Sequence, residues 1–348
     1  MRPSATSPLF PFLERRPEGL YTPAFEAFLD PRQPTARAIL SHAHADHAVA
    51  GLGEIWATPE TIALYRRRHP EWSGRARAIP CGETIEARGT EMALFPAGHI
   101  LGSAQIRFEG EGGSLLYTGD FKRRVSRTAA PAETPHASVL VTETTFGLPV
   151  FHFPGKEEIE ERLVGACRAA IEEGKTPILL AYALGKSQEA AAILAERGIP
   201  TVLHGAAWKL LPEYAAAGAA LPLSRAYETG PPAAGEVLIV PPSCARMPIV
   251  RKIRKRSVIS LSGWAVRPAS RADFDADALL PMSDHADFPE LLRHVTEVAP
   301  RAVVAMHGYA GDFARILLAR GIAAEALSEG GERRLTDEAL AEAVEEDS

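Results

Sequence analysis

The sequence predicts a mixed α/β fold built from two domains. Three observations carry that expectation. The chain has 348 residues, more than the roughly 100–200 of one typical domain. Residues 1–150 read as short apolar runs between turn signals, the pattern of strands. Beyond Gly147, strand-like runs alternate with helical periodicity, as in a βαβ layer.

Taken in chain order, 36–40, 91–95, 114–117 and 138–141 are candidate strands, and Glu109-Gly110-Glu111-Gly112-Gly113 supplies a hairpin turn. Helical spacing runs over 157–173 and 186–197, around a buried-type strand at 177–182. Further strands are expected at 237–240 and 257–261. From Pro289 a helix, a strand at 302–306 and a second helix follow. Glu338, Glu342, Glu345, Glu346 and Asp347 predict a frayed acidic tail over 331–348.

Composition narrows the function. Hydrophobic residues are 46% and charged residues 24%, enough for a sizeable core, so bulk disorder is excluded. No apolar run approaches the ~20 residues of a membrane span, and the N-terminus lacks the apolar stretch of a secretory signal. Cys81, Cys167 and Cys244 are too dispersed for a disulfide framework or a Cys-x-x-Cys site. A reducing cytoplasm, away from membranes, is the expected compartment. Net charge is −6, so a uniformly basic nucleic-acid footprint is absent. Local basic runs remain at Arg66–Arg68, Lys122–Arg124 and, most densely, Arg251–Arg256, each also readable as a solvated charged face.

The chemistry concentrates at Ser41-His42-Ala43-His44-Ala45-Asp46-His47. In an extended segment residues i and i+2 share a side, so His42 and His44 can chelate one ion together. Asp46 and His47 follow as the chain turns into an expected helix, and they can serve a second ion. Imidazole nitrogen with carboxylate oxygen suits zinc. The remaining ligands should also lie at strand ends. His99, Asp120 and His307 each follow a candidate strand. If Asp120 is shared, His42, His44, Asp46, His47, His99, Asp120 and His307 supply four positions to each of two ions. A bound metal lowers the pKa of its water toward neutrality. Asp30, in Phe28-Leu29-Asp30-Pro31, is expected to accept a hydrogen bond from His42 or His44; a turn-forming Asp before Pro is the plain alternative.

These residues resemble the metallo-β-lactamase superfamily, through His-x-His-x-Asp-His and the spaced His99 and Asp120. Members with a redox di-iron site usually carry Glu where this chain has His44, so the resemblance leans toward hydrolysis with two Zn2+, with Mn2+ as a substitute. A long segment separates Asp120 from His307, unlike the small-molecule hydrolases. Ala97-Gly98-His99-Ile100-Leu101-Gly102-Ser103-Ala104 and Tyr117-Thr118-Gly119-Asp120-Phe121-Lys122 look like the β-CASP nucleases. Glu143 in Thr142-Glu143-Thr144-Thr145, His285 in Ser283-Asp284-His285-Ala286-Asp287, and His307-Gly308 match that group's three further motifs. Gly19-Leu20-Tyr21, Phe28-Leu29-Asp30-Pro31 and Leu261-Ser262-Gly263-Trp264 are similar to the bacterial ligase-associated DNA exonucleases, also labelled mRNA 3′-end-processing-factor-like. Arg32 departs from a common Trp and touches no catalytic position.

The resemblance implies an αββα sandwich of residues 1–150 and 281–330 with an inserted α/β β-CASP domain at 151–280. It implies a metal-dependent nuclease acting on nucleic acid, DNA favoured over RNA, processing DNA ends in association with a DNA ligase and a helicase. The alternative is a ribonuclease that processes RNA ends; a small-ester hydrolase or a silent scaffold subunit fits the motifs less well. Asp46, Asp120, His285, Glu143 and Asp30 are the candidate catalytic residues, with His285 as the general acid and Glu143 orienting it. Gly185-Lys186-Ser187 mimics a P-loop end, but Leu180 stands where that motif needs Gly. It matches instead a β-CASP strand-to-helix segment, where Lys186 and Ser187 are candidate phosphate contacts. Arg254, Lys255 and Arg256 are candidate backbone contacts at the domain cleft. Trp264 is a core Trp or a stacking platform. His69, His136, His152, His204 and His294 have no motif support and read as structural or surface residues.

Overall fold

A computed structural model describes residues 9, 11–267 and 275–327. The acidic tail expected over 331–348 lies outside them. The described residues form two compact units: 9, 11–125, 129–149 and 285–327 make the first, and 126–128, 150–267 and 275–284 the second.

In the first unit β1 (Glu14–Arg16), β2 (Gly19–Thr22), β3 (Ala27–Leu29), β4 (Arg37–Ile39), β5 (Glu54–Ala57) and β6 (Arg75–Ala78) form one sheet in chain order. Strands β3 to β6 are parallel. The chain continues through β7 (Thr84–Ala87), β8 (Thr90–Pro96), β9 (Ala104–Gly110), β10 (Gly113–Tyr117) and β11 (Val139–Glu143). The second unit holds β12 (Thr176–Leu180), β13 (Thr201–Leu203), β14 (Ser224–Ala226), β15 (Val237–Val240), β16 (Arg256–Leu261) and β17 (Ala278–Leu280). The chain then returns for β18 (Ala302–Met306) and β19 (Ala324–Ala326). Strands β7 to β11 join these in a second sheet of order β19-β18-β11-β10-β9-β8-β7.

Alternation of side chains explains how the first unit's two sheets pack. Leu20, Ile39 and Trp56 from one sheet meet Met92, Phe108, Tyr117 and Val304 from the other in one buried cluster. The outer face of the first sheet, Ala38 and Ile55, is covered by Ile62 and Tyr65 of the helix Pro59–Arg68. Helix Ala310–Ala319 packs beside β18 and β19, burying Phe313, Ile316 and Leu317. The layers of this unit are therefore helix, sheet, sheet and helix.

The second unit is a parallel sheet of order β14-β13-β15-β12-β16-β17. Its central strands, Val237–Val240 and Pro177–Leu180, are buried without alternation, as a parallel sheet covered on both faces requires. One face packs on helices Lys156–Glu172 and Lys186–Glu196 through Leu163, Cys167, Ala190 and Leu194. The other packs on Cys244 and Val250.

The structure departs from the sequence reading in three places. Helix Pro59–Arg68 interrupts the expected run of strands; Thr58 accepts from Thr61 N at 3.2 Å, with Pro59 in the first turn. No helix follows His47, where the chain makes turns and both His47 N and Ala48 N donate to His44 O. Lys122–Arg124 is no solvated face. Lys122 is buried, Arg123 bonds Glu297 at 2.6 Å, and Arg124 bonds Asp287 at 3.1 Å.

Candidate metal centre

Topology gathers most of the predicted ligands. Strands β8, β10, β11 and β18 run in one direction, because β9 is antiparallel to β8 and β10 while β10, β11 and β18 are parallel. Their carboxyl ends share one rim. His99 follows β8, Asp120 follows β10, Glu143 ends β11 and His307 follows β18. His42 and His44 leave β4 of the facing sheet. Close backbone approach is required where the two sheets meet: Gly119 has φ +54°, and a Cβ there would lie 2.5 Å from Ser41 Cβ.

Asp120 is the hub. Its Oδ2 lies 3.4 Å from His47 Nε2, 3.6 Å from His42 Nε2, 3.8 Å from His99 Nε2 and 3.9 Å from His285 Nδ1. His99 Nε2 and His44 Nδ1 are 3.0 Å apart. His42, His44, His99 and Asp120 form one cluster whose ligand atoms lie within 4.8 Å of one another; Asp30, His42 and His47 form another. Asp46 and His307 join neither cluster. Asp46 is exposed, and the His307 ring stands 5.8 Å from that of His47. His307 holds φ 60°, a strained value for a non-glycine residue, and Gly308 follows because a Cβ there would meet Thr144 O at 2.3 Å.

Asp30 lies behind this cluster, also at positive φ. Its Oδ2 contacts His47 Nδ1 at 2.9 Å and accepts from Tyr117 OH at 2.9 Å and Ser41 Oγ at 2.5 Å. Ser41 Oγ in turn reaches His42 Nδ1 at 2.9 Å. The sequence placed Asp30 behind His42 or His44. The direct partner is His47, and His42 is reached through Ser41. Ser41 and Tyr117 were missed, although Ser41 adjoins His42 in the motif. Arg68, read as part of a surface run, donates to Ala43 O between His42 and His44. No sequence pattern pairs those positions.

Burial and neighbouring charges shift the groups of the cluster strongly. Burial holds His42 well below the usual imidazole range, helped by His47 and His99. Burial opposes charge on His47 too, but the Asp120 and Asp30 carboxylates raise it well above that range. Asp120 is pushed well down: burial works against its charge, and His47 and His285 overcome it. His42 Nε2 is fully buried with no hydrogen-bond partner, a costly state for a polar atom. It faces Asp120 Oδ2 across a gap too long for a hydrogen bond. An acceptor nitrogen, converging imidazoles and a central carboxylate fit divalent cations, and the His/Asp cluster is consistent with a dinuclear site.

A second arrangement adjoins it. Glu143 is buried; its Oε2 accepts from Thr145 Oγ1 at 2.5 Å and its Oε1 from Phe121 N at 2.9 Å. His285 Nδ1 lies 2.9 Å from Glu143 Oε2, and its ring packs beside His99 at 4.8 Å. Its side chain is 25% exposed, against 0–8% for His42, His47, His99 and Asp120.

In the second unit, Lys186 and Ser187 open the helix Lys186–Glu196 at the carboxyl edge of the sheet, both buried. Lys186 Nζ is 3.7 Å from Asp284 Oδ2, and Ser187 Oγ donates to Tyr182 O at 2.6 Å. Arg254 and Lys255 are exposed, and Arg256 donates to Ile253 O at 2.8 Å. They precede or begin β16, so they occupy the amino edge of the sheet, opposite Lys186. Trp264 packs edge-on against Phe151 at 5.3 Å. Among the described residues no helix is long and apolar enough to cross a membrane.

No protein-family model matches the chain. It is 40% identical over 319 residues to a probable DNA ligase of Opitutus terrae, covering 91% of this chain and 31% of that protein. It is 33% identical over 173 residues to an RNase J-like protein of Methanocaldococcus jannaschii, covering 43% of this chain and 41% of that one. An endoribonuclease YSH1 of Kluyveromyces lactis is 36% identical over 197 residues, 45% of this chain and 26% of that protein. The chain thus spans under half the length of each of these relatives. The crystal structure of a protein of unknown function from Enterococcus faecalis V583 superposes with a TM-score of 0.57 at 15% identity, covering 85% of this chain and 80% of that one, a likeness of fold. By its relatives, and by motifs that converge on one rim of the first unit, the chain is homologous to β-CASP nucleases of the metallo-β-lactamase superfamily.

Proposed function

We propose that the chain is a two-metal nuclease that hydrolyses phosphodiester bonds at DNA ends, as an exonuclease serving repair and ligation. The single observation that carries hydrolysis is the Asp120 carboxylate, with three imidazoles at 3.4–3.8 Å and the His285–Glu143 pair beside it. His42, His44, Asp46, His47, His99, Asp120 and His307 would hold two Zn2+, with Mn2+ as a substitute and Asp120 shared. When bound, the ions supply an activated water and positive charge for the phosphate. The chain's residues do the rest. Asp30 fixes His47 directly and His42 through Ser41. His285 gives a proton from Nε2 to the leaving oxygen, while Glu143 holds Nδ1 and favours the charged ring.

Residues 1–150 and 281–330 would be the αββα catalytic sandwich, and 151–280 the inserted β-CASP domain. Lys186, Ser187, Arg254, Lys255 and Arg256 are the proposed nucleic-acid contacts. DNA is favoured because the probable DNA ligase is similar over most of this chain; the same similarity supports a DNA ligase as a proposed partner, while the motif resemblance alone suggests a helicase and the dispersed cysteines the cytoplasm. Ribonuclease action on RNA ends is the second reading, favoured by the RNase J-like and endoribonuclease relatives.

Side-by-side digestion of end-labelled single-stranded DNA, duplex DNA and RNA with Zn2+ or Mn2+ tests the proposal. Progressive shortening of DNA is expected. Cutting of RNA alone would establish the second reading, and no cutting of either would refute both.

A further inference from the structure

In the second unit's parallel sheet, two neighbouring strands send their connections to opposite faces. The strands are β12 and β15, with Leu180 paired to Val240. Beyond these paired ends their connections leave for opposite faces. The chain after β12 enters helix Lys186–Glu196, whose Ala190 and Leu194 pack on one face. The chain after β15 enters 242–251, whose Cys244 and Val250 pack on the other. In open parallel sheets such a divergence leaves a crevice outside the strands' carboxyl ends, and ligands bind there.

Two of the six large hydrophobic side chains that stand exposed among the described residues lie on these two connections: Tyr182 at 62% and Met247 at 49%. Tyr182 is well anchored for an exposed residue. Its carbonyl accepts from Ser187 N at 3.2 Å and Ser187 Oγ at 2.6 Å, which fixes its backbone. Lys186 Nζ sits over the ring, 5.0 Å from the centroid, while remaining 3.7 Å from Asp284 Oδ2. A cation thus backs an aromatic ring held open to solvent. Arg246, on the other connection, is exposed and among the described residues pairs with the exposed Asp275 at 3.0 Å, a pairing worth little in water.

We propose that this crevice is a nucleotide subsite, in which a base of a single-stranded nucleic acid stacks on Tyr182 and the backbone passes Arg246. An exposed ring on a fixed backbone with cations nearby is the recurring way to hold single strands without reading sequence. The subsite rests on the nuclease reading, and it assigns Lys186 a different task from direct phosphate contact: it supports the ring.

The test uses single-stranded oligonucleotides carrying one 2-aminopurine at successive positions, bound to the full chain in EDTA so that binding is read without cleavage. The wild type should quench one position most strongly. Tyr182→Ala should remove that quench and weaken binding about 5- to 150-fold, whereas Tyr182→Trp should keep both. Circular dichroism checks that the variants fold. Unchanged affinity and quenching in Tyr182→Ala would overturn the subsite and leave Tyr182 and Met247 as a protein-docking surface. A wild type that neither binds nor cuts any oligonucleotide would overturn the nuclease reading as well. One that cuts normally but shows no Tyr182 dependence would overturn the subsite alone.

Discussion

At the scale of single residues, the sharpest division is between His285 and the imidazoles around Asp120. His285 touches Glu143 at 2.9 Å and Asp120 at 3.9 Å, and it is more exposed than His42, His47, His99 and Asp120. A general acid needs both features: a fixed orientation and access to the leaving group. His285→Ala should retain both metals and lose about 10²–10⁴-fold in rate on an ordinary phosphodiester. The loss should be much smaller on a nitrophenyl phosphodiester, whose leaving group needs little protonation. Equal losses on both substrates would make His285 a phosphate-positioning group. Loss of a metal would place it among the ligands. This pair was legible as two motifs, because residue type and local spacing survive in sequence. The Asp30–Ser41–Tyr117 network was legible only as Asp30, since its contacts join positions 11 and 87 residues apart.

At the scale of elements, the sequence showed the unbroken apolar strands and the periodic helices, and missed the seven-residue β9 along with several short pieces. Strand β12 and helix Lys186–Glu196 carry unbroken signals over several residues. Strands β13, β14 and β17 have three residues each, too few for any period to register. Helix Pro59–Arg68 was missed despite its Thr-Pro-Glu start, because strands were expected on both sides. The basic run before β16 illustrates what composition alone leaves open. Its two exposed cations, Arg254 and Lys255, can meet a phosphate backbone, while Arg256 spends a guanidinium nitrogen on Ile253 O. Replacing Arg254, Lys255 and Arg256 together by Ala should weaken DNA binding and lower the log–log salt slope by about one unit per lost contact. An unchanged slope would make the run a solvated face.

For the whole molecule, pH should act through buried groups outside the metal centre as well as within it. His294 is buried against Phe121, with rings 4.5 Å apart and Nδ1 facing Arg123 at 3.4 Å. Burial first, and then the Arg123 charge, push its pKa down to about 3, with Glu297 opposing. In the unfolded chain it titrates near 6.5. Its neutral form therefore supports the fold fully above pH 6.5, and that support is lost progressively as pH falls toward 3. The loss reaches about 2 kcal/mol at pH 5. Denaturant melts of wild type and His294→Leu at pH 5 and pH 7.5 isolate the effect, since all other groups are shared. The variant should lose about 2 kcal/mol less on acidification; equal losses would show that His294 is protonated in the fold.

The two-metal centre is tested most directly by metal content. Elemental analysis of the full chain, purified without chelator and supplemented with Zn2+ or Mn2+, should give close to two equivalents per chain. Asp120→Ala removes the carboxylate that three imidazoles face at 3.4–3.8 Å, and it should fall well short of two while losing nearly all hydrolysis. Less than one equivalent in the supplemented wild type would contradict the two-metal centre outright.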